Sequence, residues 1–412
     1  MTTASIRSLR IPVRSVAIDD PGPLLALLPD AAPLAWLRQG DGLVGWGKAA
    51  RFEAGLGTDR FGRAEAWWAD MCRTLDVVDE VGLPGSGPVA FGSFTFDAGS
   101  AGSVLVVPQV VLGRRDGRSW LTTVGAATGV LGPVGEPPRP ARVRYADGSL
   151  SAIAWQEAVR EAVAAIRAGR LEKVVLSRDL LATSDTPLDP RFLLQRLAAR
   201  FPACWTFSCA GLVGSTPELL VRREGARVES GVLAGSVRRG RDAAEDAELG
   251  AWLLASAKDD QEHAISVRSV SKALAPHCGR LDVPARPRLL QLANVQHLAT
   301  DITGLLTDGA TALGLVNDLH PTAAVCGTPT DVAAGLISTL EGMDRGRFTG
   351  PVGWTGADGD GEWGIALRCA ELAGPSARLF AGCGIVADSD PDAELAEAQV
   401  KLAAMRDALE GV

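Results

Sequence analysis

The clearest alternation of apolar and polar positions lies near the end of the chain. Leu395, Ala398, Leu402, Met405 and Leu409 recur at steps of three and four residues and make one apolar helical stripe. Asp390 suits the N-cap of that helix and Pro391 its first turn. Glu394, Glu397 and Lys401 form a second stripe, because residues three and four apart share a helix face. The segment before it, AGCGIV from Ala381, reads as a glycine-rich turn fed by a strand at 378–380. Two carboxylates and an ammonium therefore stand at the rim of a buried face. Alone, such a stripe is more often a solvated face with a weak Glu397–Lys401 pair.

The same reading runs upstream. Residues 155–170 form a helix with Val159, Ala162, Val163 and Ile166 inward. Residues 171–183 alternate as a strand, with Lys173, Val175 and Ser177 on one face and Val174, Leu176 and Arg178 on the other. A lysine beside Val and Ser fits either a sheet edge or a site. After a helix at 191–200 and a strand at 203–208, residues 214–224 turn into a strand that starts at Glu218. A strand at 226–234 breaks at Gly235 into a basic turn with Arg238, Arg239 and Arg241. Residues 243–274 read as one long helix or two collinear ones, on which Asp259 and Glu262 share a face beside His263. That spacing is not a zinc pattern. A strand at 297–306, a helix at 310–319, a small-residue loop at 319–329 and a helix at 331–341 follow. Residues 354–369 read as a hairpin with Arg368 on its second strand. Before residue 145 the pattern shows short strands at 34–45, 92–96, 103–112 and 120–124, a helix at 64–78 and a Pro/Gly loop at 132–142.

Composition narrows the classes. The chain has 412 residues, 47% hydrophobic and 22% charged, enough for a sizeable core. Its net charge of −8 argues against nucleic acid and anionic membranes as partners. An anionic substrate would then need local Arg, Lys or a metal. No apolar run is long enough to span a membrane, and the opening twenty residues lack a leader-like apolar segment. The seven cysteines are odd in number and scattered, with no CxxC. They read as free thiols of a cytoplasmic protein.

Eight ordered motifs then carry a resemblance: KVVLSR (173–178), STPE (215–218), LAGS (233–236), KDDQEH (258–263), QHLAT (296–300), LHPTAAVCGTP (319–329), GEWGIALRCA (361–370) and the segment from AGCGIV to Lys401. Together they resemble the chorismate-utilising enzymes, which include isochorismate, salicylate, anthranilate and aminodeoxychorismate synthases. The match covers about residues 150–405 and looks most like the isochorismate synthase branch. The resemblance implies one α+β domain over 1–412: two layered antiparallel sheets with helices packed outside and the active site in a cleft. Residues 1–145 would complete the sheets as a variable part, and 150–405 would form the chorismate-binding catalytic region. It also implies Mg²⁺, a monomer, and chorismate as the small-molecule substrate.

Roles carry over by position. Glu262 and Glu397 match the metal ligands, and Asp259 and Glu394 stand behind them. Lys173 matches the base that activates water, which requires burial or a positive neighbour to favour its neutral amine. Glu218 matches the acid that protonates the leaving 4-hydroxyl, so it has to stay protonated. Arg368 matches the residue gripping the enolpyruvyl carboxylate. Gly235, His297, Ala324, Gly382 and Lys401 match other substrate positions. Anthranilate-type relatives lack the lysine at 173. Lyase-competent relatives usually carry Thr where this chain has Ala324, so the product expected is isochorismate, for menaquinone or siderophore synthesis. Cys383 and Ser236 depart from the usual Ala and Thr. The rivals are a salicylate synthase and a silent chorismate-binding protein.

Overall fold

Strand alternation dominates the chain, and the strands collect into two sheets. A computed structural model describes residues 10–30, 32–128, 131–132 and 134–411. Residues 1–9 of the opening segment and Pro133 of the 132–142 loop lie outside the described residues. One sheet has thirteen strands and the other ten. Every described strand pair is antiparallel except Ile11–Ile18 with Leu75–Asp79. The segment before residue 125 supplies strands to both sheets: Leu34–Arg38 pairs with Trp205–Cys209 in the larger, and Val89–Ser93 with Pro351–Gly356 in the smaller.

Eight α-helices are described: α1 (Arg60–Arg73), α2 (Ala152–Arg167), α3 (Pro190–Arg200), α4 (Ala243–Ala255), α5 (Ala257–Leu274), α6 (Ala312–Leu319), α7 (Thr330–Leu340) and α8 (Pro391–Glu410). Three apolar layers hold the fold together. One lies between the sheets, with Trp36, Trp120 and Phe207 of the larger facing Phe91, Val352 and Trp354 of the smaller. A second packs α2, α3, α7 and α8 on the larger sheet through Val159, Leu197, Ile337 and Leu402. A third packs α1, α5 and α6 on the smaller through Phe61, Val270 and Val316. Each such buried side chain contributes roughly 1.5–3 kcal/mol.

Local signals set the ends of several elements. Ser151 caps α2 by accepting from Ala154 N, so that helix begins before residue 155. Asp390 caps α8 by accepting from Asp392 N and Ala393 N, with Pro391 in the first turn. Tertiary pairing overrides three expectations, and a local cap chooses between the two readings of 243–274. The helix expected at 64–78 is α1, and residues 75–79 leave it to pair in parallel with Ile11–Ser15. The 243–274 helix is two, divided at Ser256, whose extended backbone (ψ 112°) stops α4 and whose hydroxyl caps α5. Strand Arg227–Arg238 does not end at Gly235 but bulges there, with Gly235 at φ +76°. The glycines of AGCGIV are not a turn: they lie within strand Ser376–Ile385, paired to Lys173–Thr183 over ten residues.

Two crossovers between the sheets position the site. Leu212–Thr216 of the larger sheet passes through Pro217 and Glu218 into Leu219–Glu224 of the smaller. Gly361–Ile365 of the smaller passes through Ala366, Leu367 and Arg368 into Cys369–Ala373 of the larger. Arg368 is therefore not on a strand; it sits at the switch with φ +46°. The crossovers touch: Ile365 N donates to Glu218 O at 3.1 Å and Ser215 N to Arg368 O at 3.1 Å.

Candidate active site

A cavity opens where these crossovers meet α5, α8 and the 319–329 loop. It has an empty volume of about 710 Å³ including its mouth. Glu218, Gly235, Glu262, His297, Ala324, Arg368, Gly382, Glu397 and Lys401 all line it. Of the residues singled out from sequence, Lys173, Asp259 and Glu394 stand one layer back.

Three of the wall's glycines are explained by close approach. A Cβ on Gly384 would fall 2.7 Å from Glu262 Cδ and 2.9 Å from Lys173 Cε. One on Gly382 would fall 2.9 Å from Leu176 O and press on Ser177. Gly235 occupies the left-handed region at the bulge, with Asp259 Cβ 3.0 Å from where its own Cβ would be.

The charges come as buried pairs. Lys173 is fully buried; its Nζ lies 3.0 Å from Glu262 Oε1 and donates to Ser266 Oγ at 3.1 Å. Its strand is paired on both sides, so it is not an edge lysine. Burial, one of the two conditions expected for this amine, is met, but its direct partner is a carboxylate rather than a cation. Lys401 Nζ lies 2.6 Å from Glu397 Oε1 and donates to Gly382 O at 3.0 Å. Burial works against its charge, but Glu397, Cys383 and Glu262 together outweigh this and raise its pKa. Glu394 Oε1 accepts from Lys258 Nζ at 2.8 Å, and burial followed by Glu397 still raises its pKa. Burial also raises Asp259, against a bond from Ser256. Four carboxylates thus face three lysines.

Glu218 behaves differently. It is buried, and desolvation pushes its pKa from 4.5 to about 8, against the opposing pull of Lys173, Lys401 and Arg368. Its carboxyl is therefore protonated at neutral pH. Beside it, His297 Nε2 lies 2.6 Å from Arg368 Nη2, while its Nδ1 lies 2.9 Å from Ser236 Oγ and 3.3 Å from Gly235 O. A guanidinium only donates, so Nε2 accepts and Nδ1 carries the proton. Burial, with Arg368 and Lys401 nearby, drives His297 well below its usual pKa and keeps it neutral. Arg368 Nη1 is buried without a hydrogen-bond partner. An unpaired donor lining a cavity marks the place for an anionic ligand group. His263 is structural: it bonds Thr300 Oγ1 at 2.8 Å, and burial lowers it to about 4. The basic turn faces no anion site: Arg238 and Arg241 pair with Glu245, and Arg239 with Asp246.

The carboxylates suit a hard dication. Glu262 and Glu397 present oxygens to the cavity from two helices, a donor set Mg²⁺ accepts. Among the described residues, a compact trio of possible ligand atoms is instead Cys383, Glu394 and Glu397, all within 4.8 Å of one another. That trio is the poorer choice. The Cys383 thiol donates to Glu394 O at 3.3 Å, and burial raises its pKa far above normal.

Comparison with known proteins follows the same lines. A family profile described as chorismate binding enzyme matches residues 135–410. The chain belongs to this family of chorismate-binding enzymes. An isochorismate synthase of Bacillus subtilis is 44% identical over 263 residues, 61% of this chain and 66% of that protein. A salicylate biosynthesis isochorismate synthase of Pseudomonas aeruginosa is 36% identical over 92% of this chain and 85% of its own. The structure of a menaquinone-specific isochorismate synthase from Escherichia coli superposes with a TM-score of 0.80 at 25% identity, covering 97% of this chain and 94% of that one. The two-sheet α+β architecture of the chorismate-binding enzymes is thus the fold found here.

Several wall residues escaped the sequence reading. The Ser177 hydroxyl lines the cavity, fully buried and without a partner; its alternation with Lys173 was the available signal. Phe348 and Phe380 stack at 4.9 Å to form an apolar wall. Behind the wall, Lys258 opens the KDDQEH motif, but its pairing with Glu394, 136 positions away, gave no local signal. No described helix is long and apolar enough to cross a membrane, and the seven cysteines are free.

Proposed function

We propose that this protein is an Mg²⁺-dependent isochorismate synthase acting on chorismate as a monomer. The observation that carries it is Glu218: a buried carboxyl, protonated at neutral pH, in the same cavity as an unpaired arginine donor. One water adds at C2 of the ring and one leaves from C4, so composition is unchanged. Glu218 gives its proton to the departing 4-hydroxyl, and Lys173 takes one from the incoming water. Arg368 Nη1 holds the enolpyruvyl carboxylate. Neutral His297 pins Arg368, and Lys401 holds Glu397 and Gly382 in place. Asp259 and Glu394 back the two ligand carboxylates.

Glu262 and Glu397 would hold Mg²⁺, which when bound supplies a positive anchor for the ring carboxylate. Charge supports this. With Lys173 neutral as the base, the four carboxylates and the two other lysines leave two negative charges; a dication and Arg368 would turn this into one positive, attracting a dianionic substrate. Ala324 supports stopping at isochorismate. The relatives' names span salicylate and menaquinone routes, and the product is read as feeding one of these classes of pathway. Incubation with chorismate and Mg²⁺, followed by chromatography, tests the reading: isochorismate is expected. Salicylate with pyruvate would shift the assignment to the lyase branch, and binding without turnover would reduce the protein to a binder.

A further inference from the structure

An ion pair with both partners almost wholly buried lies just behind the cavity wall. Glu341 ends α7, and Arg345 follows one turn later; both are about 2% exposed or less. All the guanidinium nitrogens of Arg345 are engaged. Nε donates to Glu341 Oε2 at 2.9 Å and Nη2 to Glu341 Oε1 at 2.5 Å. Nη2 also donates to Val175 O at 2.8 Å, and Nη1 to Val325 O at 2.8 Å and Thr349 Oγ1 at 3.2 Å. Glu341 Oε1 in turn accepts from Ser177 N at 2.7 Å. Val175, Ser177, Val325 and Thr349 all line the cavity.

The sheet explains the arrangement. Strand Lys173–Thr183 is covered along its outer edge at Lys173–Val174 by Gly327–Thr328, and again from Leu180 by Arg144–Asp147. Between them no described strand is paired, and Val175 O and Ser177 N are met by Arg345 and Glu341 instead. Side chains stand where a neighbouring strand would run. They join the strand that carries Lys173, the loop that carries Ala324 and the Thr349 turn, which is held at φ +59°.

We infer that the Glu341–Arg345 pair is a positioning device for turnover: it fixes three cavity walls relative to one another, and so aligns Lys173 with a ring held elsewhere. The inference rests on the isochorismate synthase reading. It predicts a split between binding and turnover, because the pair touches the walls and none of the charged groups assigned to hold substrate. A misplacement on the order of 1 Å costs about 100-fold in rate.

The test compares wild type with Arg345→Lys, Glu341→Gln, Thr349→Val and Thr349→Ser, each assayed at least 15 °C (roughly two melting-transition widths) below its own midpoint. Folded Arg345→Lys and Glu341→Gln are expected to lose about 30-fold or more in kcat with KM within about threefold. Thr349→Val, which loses the bond from Arg345 and the hydroxyl's own bond to Phe348 O, should lose about three- to tenfold in kcat, and Thr349→Ser, which keeps the hydroxyl, should recover it. A purely structural pair would lower the melting temperature and leave kcat per folded molecule unchanged; that result overturns the inference. If the two charge variants do not fold, the Thr349 variants decide: equal kcat for Val, Ser and wild type overturns it. A wild type that makes no isochorismate overturns the functional reading instead, so the two failures are separable.

Discussion

Replacing Glu218 with glutamine tests the site through stability as well as rate. The wild-type carboxyl is moved from 4.5 to about 8 by burial. At about 1.36 kcal/mol per pH unit, its ionised form is roughly 5 kcal/mol costlier in the fold than in the unfolded chain. The sign follows from proton counts. Between pH 4.5 and 8 the folded state keeps the proton that the unfolded state has lost, so stability falls as pH rises through that window. Below 4.5 both states hold the proton, and above about 8 neither does, so the contribution is flat at each end. The glutamine side chain cannot ionise, so the Glu218→Gln variant loses this slope. The assay is urea unfolding of wild type and Glu218→Gln at intervals from about pH 5 to about pH 9. The difference between them should drift by several kcal/mol in favour of the variant, while the variant loses kcat for want of a proton donor. A pH-independent difference would refute the burial argument and with it the acid role.

Other outcomes follow from neighbouring contacts. Arg368→Lys keeps a charge but loses the fork; KM for chorismate should rise about 10- to 100-fold, as expected for one charge-assisted hydrogen bond, measured by steady-state kinetics. Glu262→Gln and Glu397→Gln should each weaken Mg²⁺ binding in calorimetry, and chelation of the wild type should abolish turnover until Mg²⁺ is restored. Gly384→Ala forces a methyl against Glu262 and Lys173; overpacking should cost about 1–3 kcal/mol in thermal unfolding, and activity should fall further than stability accounts for. Lys173→Ala should stop water addition while leaving a measurable chorismate affinity, read by product chromatography and ligand-induced stabilisation.

Legibility tracked the range of the interactions involved. The cap and apolar stripe of α8 were readable because Asp390, Pro391 and the leucines act within a few residues of one another. The alternation that set Lys173 and Ser177 on one face held because a strand's two faces are a local property. The glycines of AGCGIV suggest a turn in the sequence because what excludes a side chain at Gly384 is Glu262, a residue on α5 more than a hundred positions earlier. Arg368 was misplaced on a strand because the switch between sheets depends on pairing with Leu212–Gly214, which no local pattern announces. Its motif was still recognised, since ordered motifs survive uncertainty about the elements that carry them.

By itself the sequence determined which residue types lie on which faces, where α8 begins, and which eight motifs occur in which order; these depend on local backbone geometry and side-chain chemistry. Only the tertiary structure decided that Glu218 is deep enough to keep its proton, that Lys173 faces a carboxylate rather than a cation, and that Arg345 and Glu341 stand in for a strand. Those are matters of desolvation and of contacts between distant segments, and such quantities exist only once the two sheets have closed on each other.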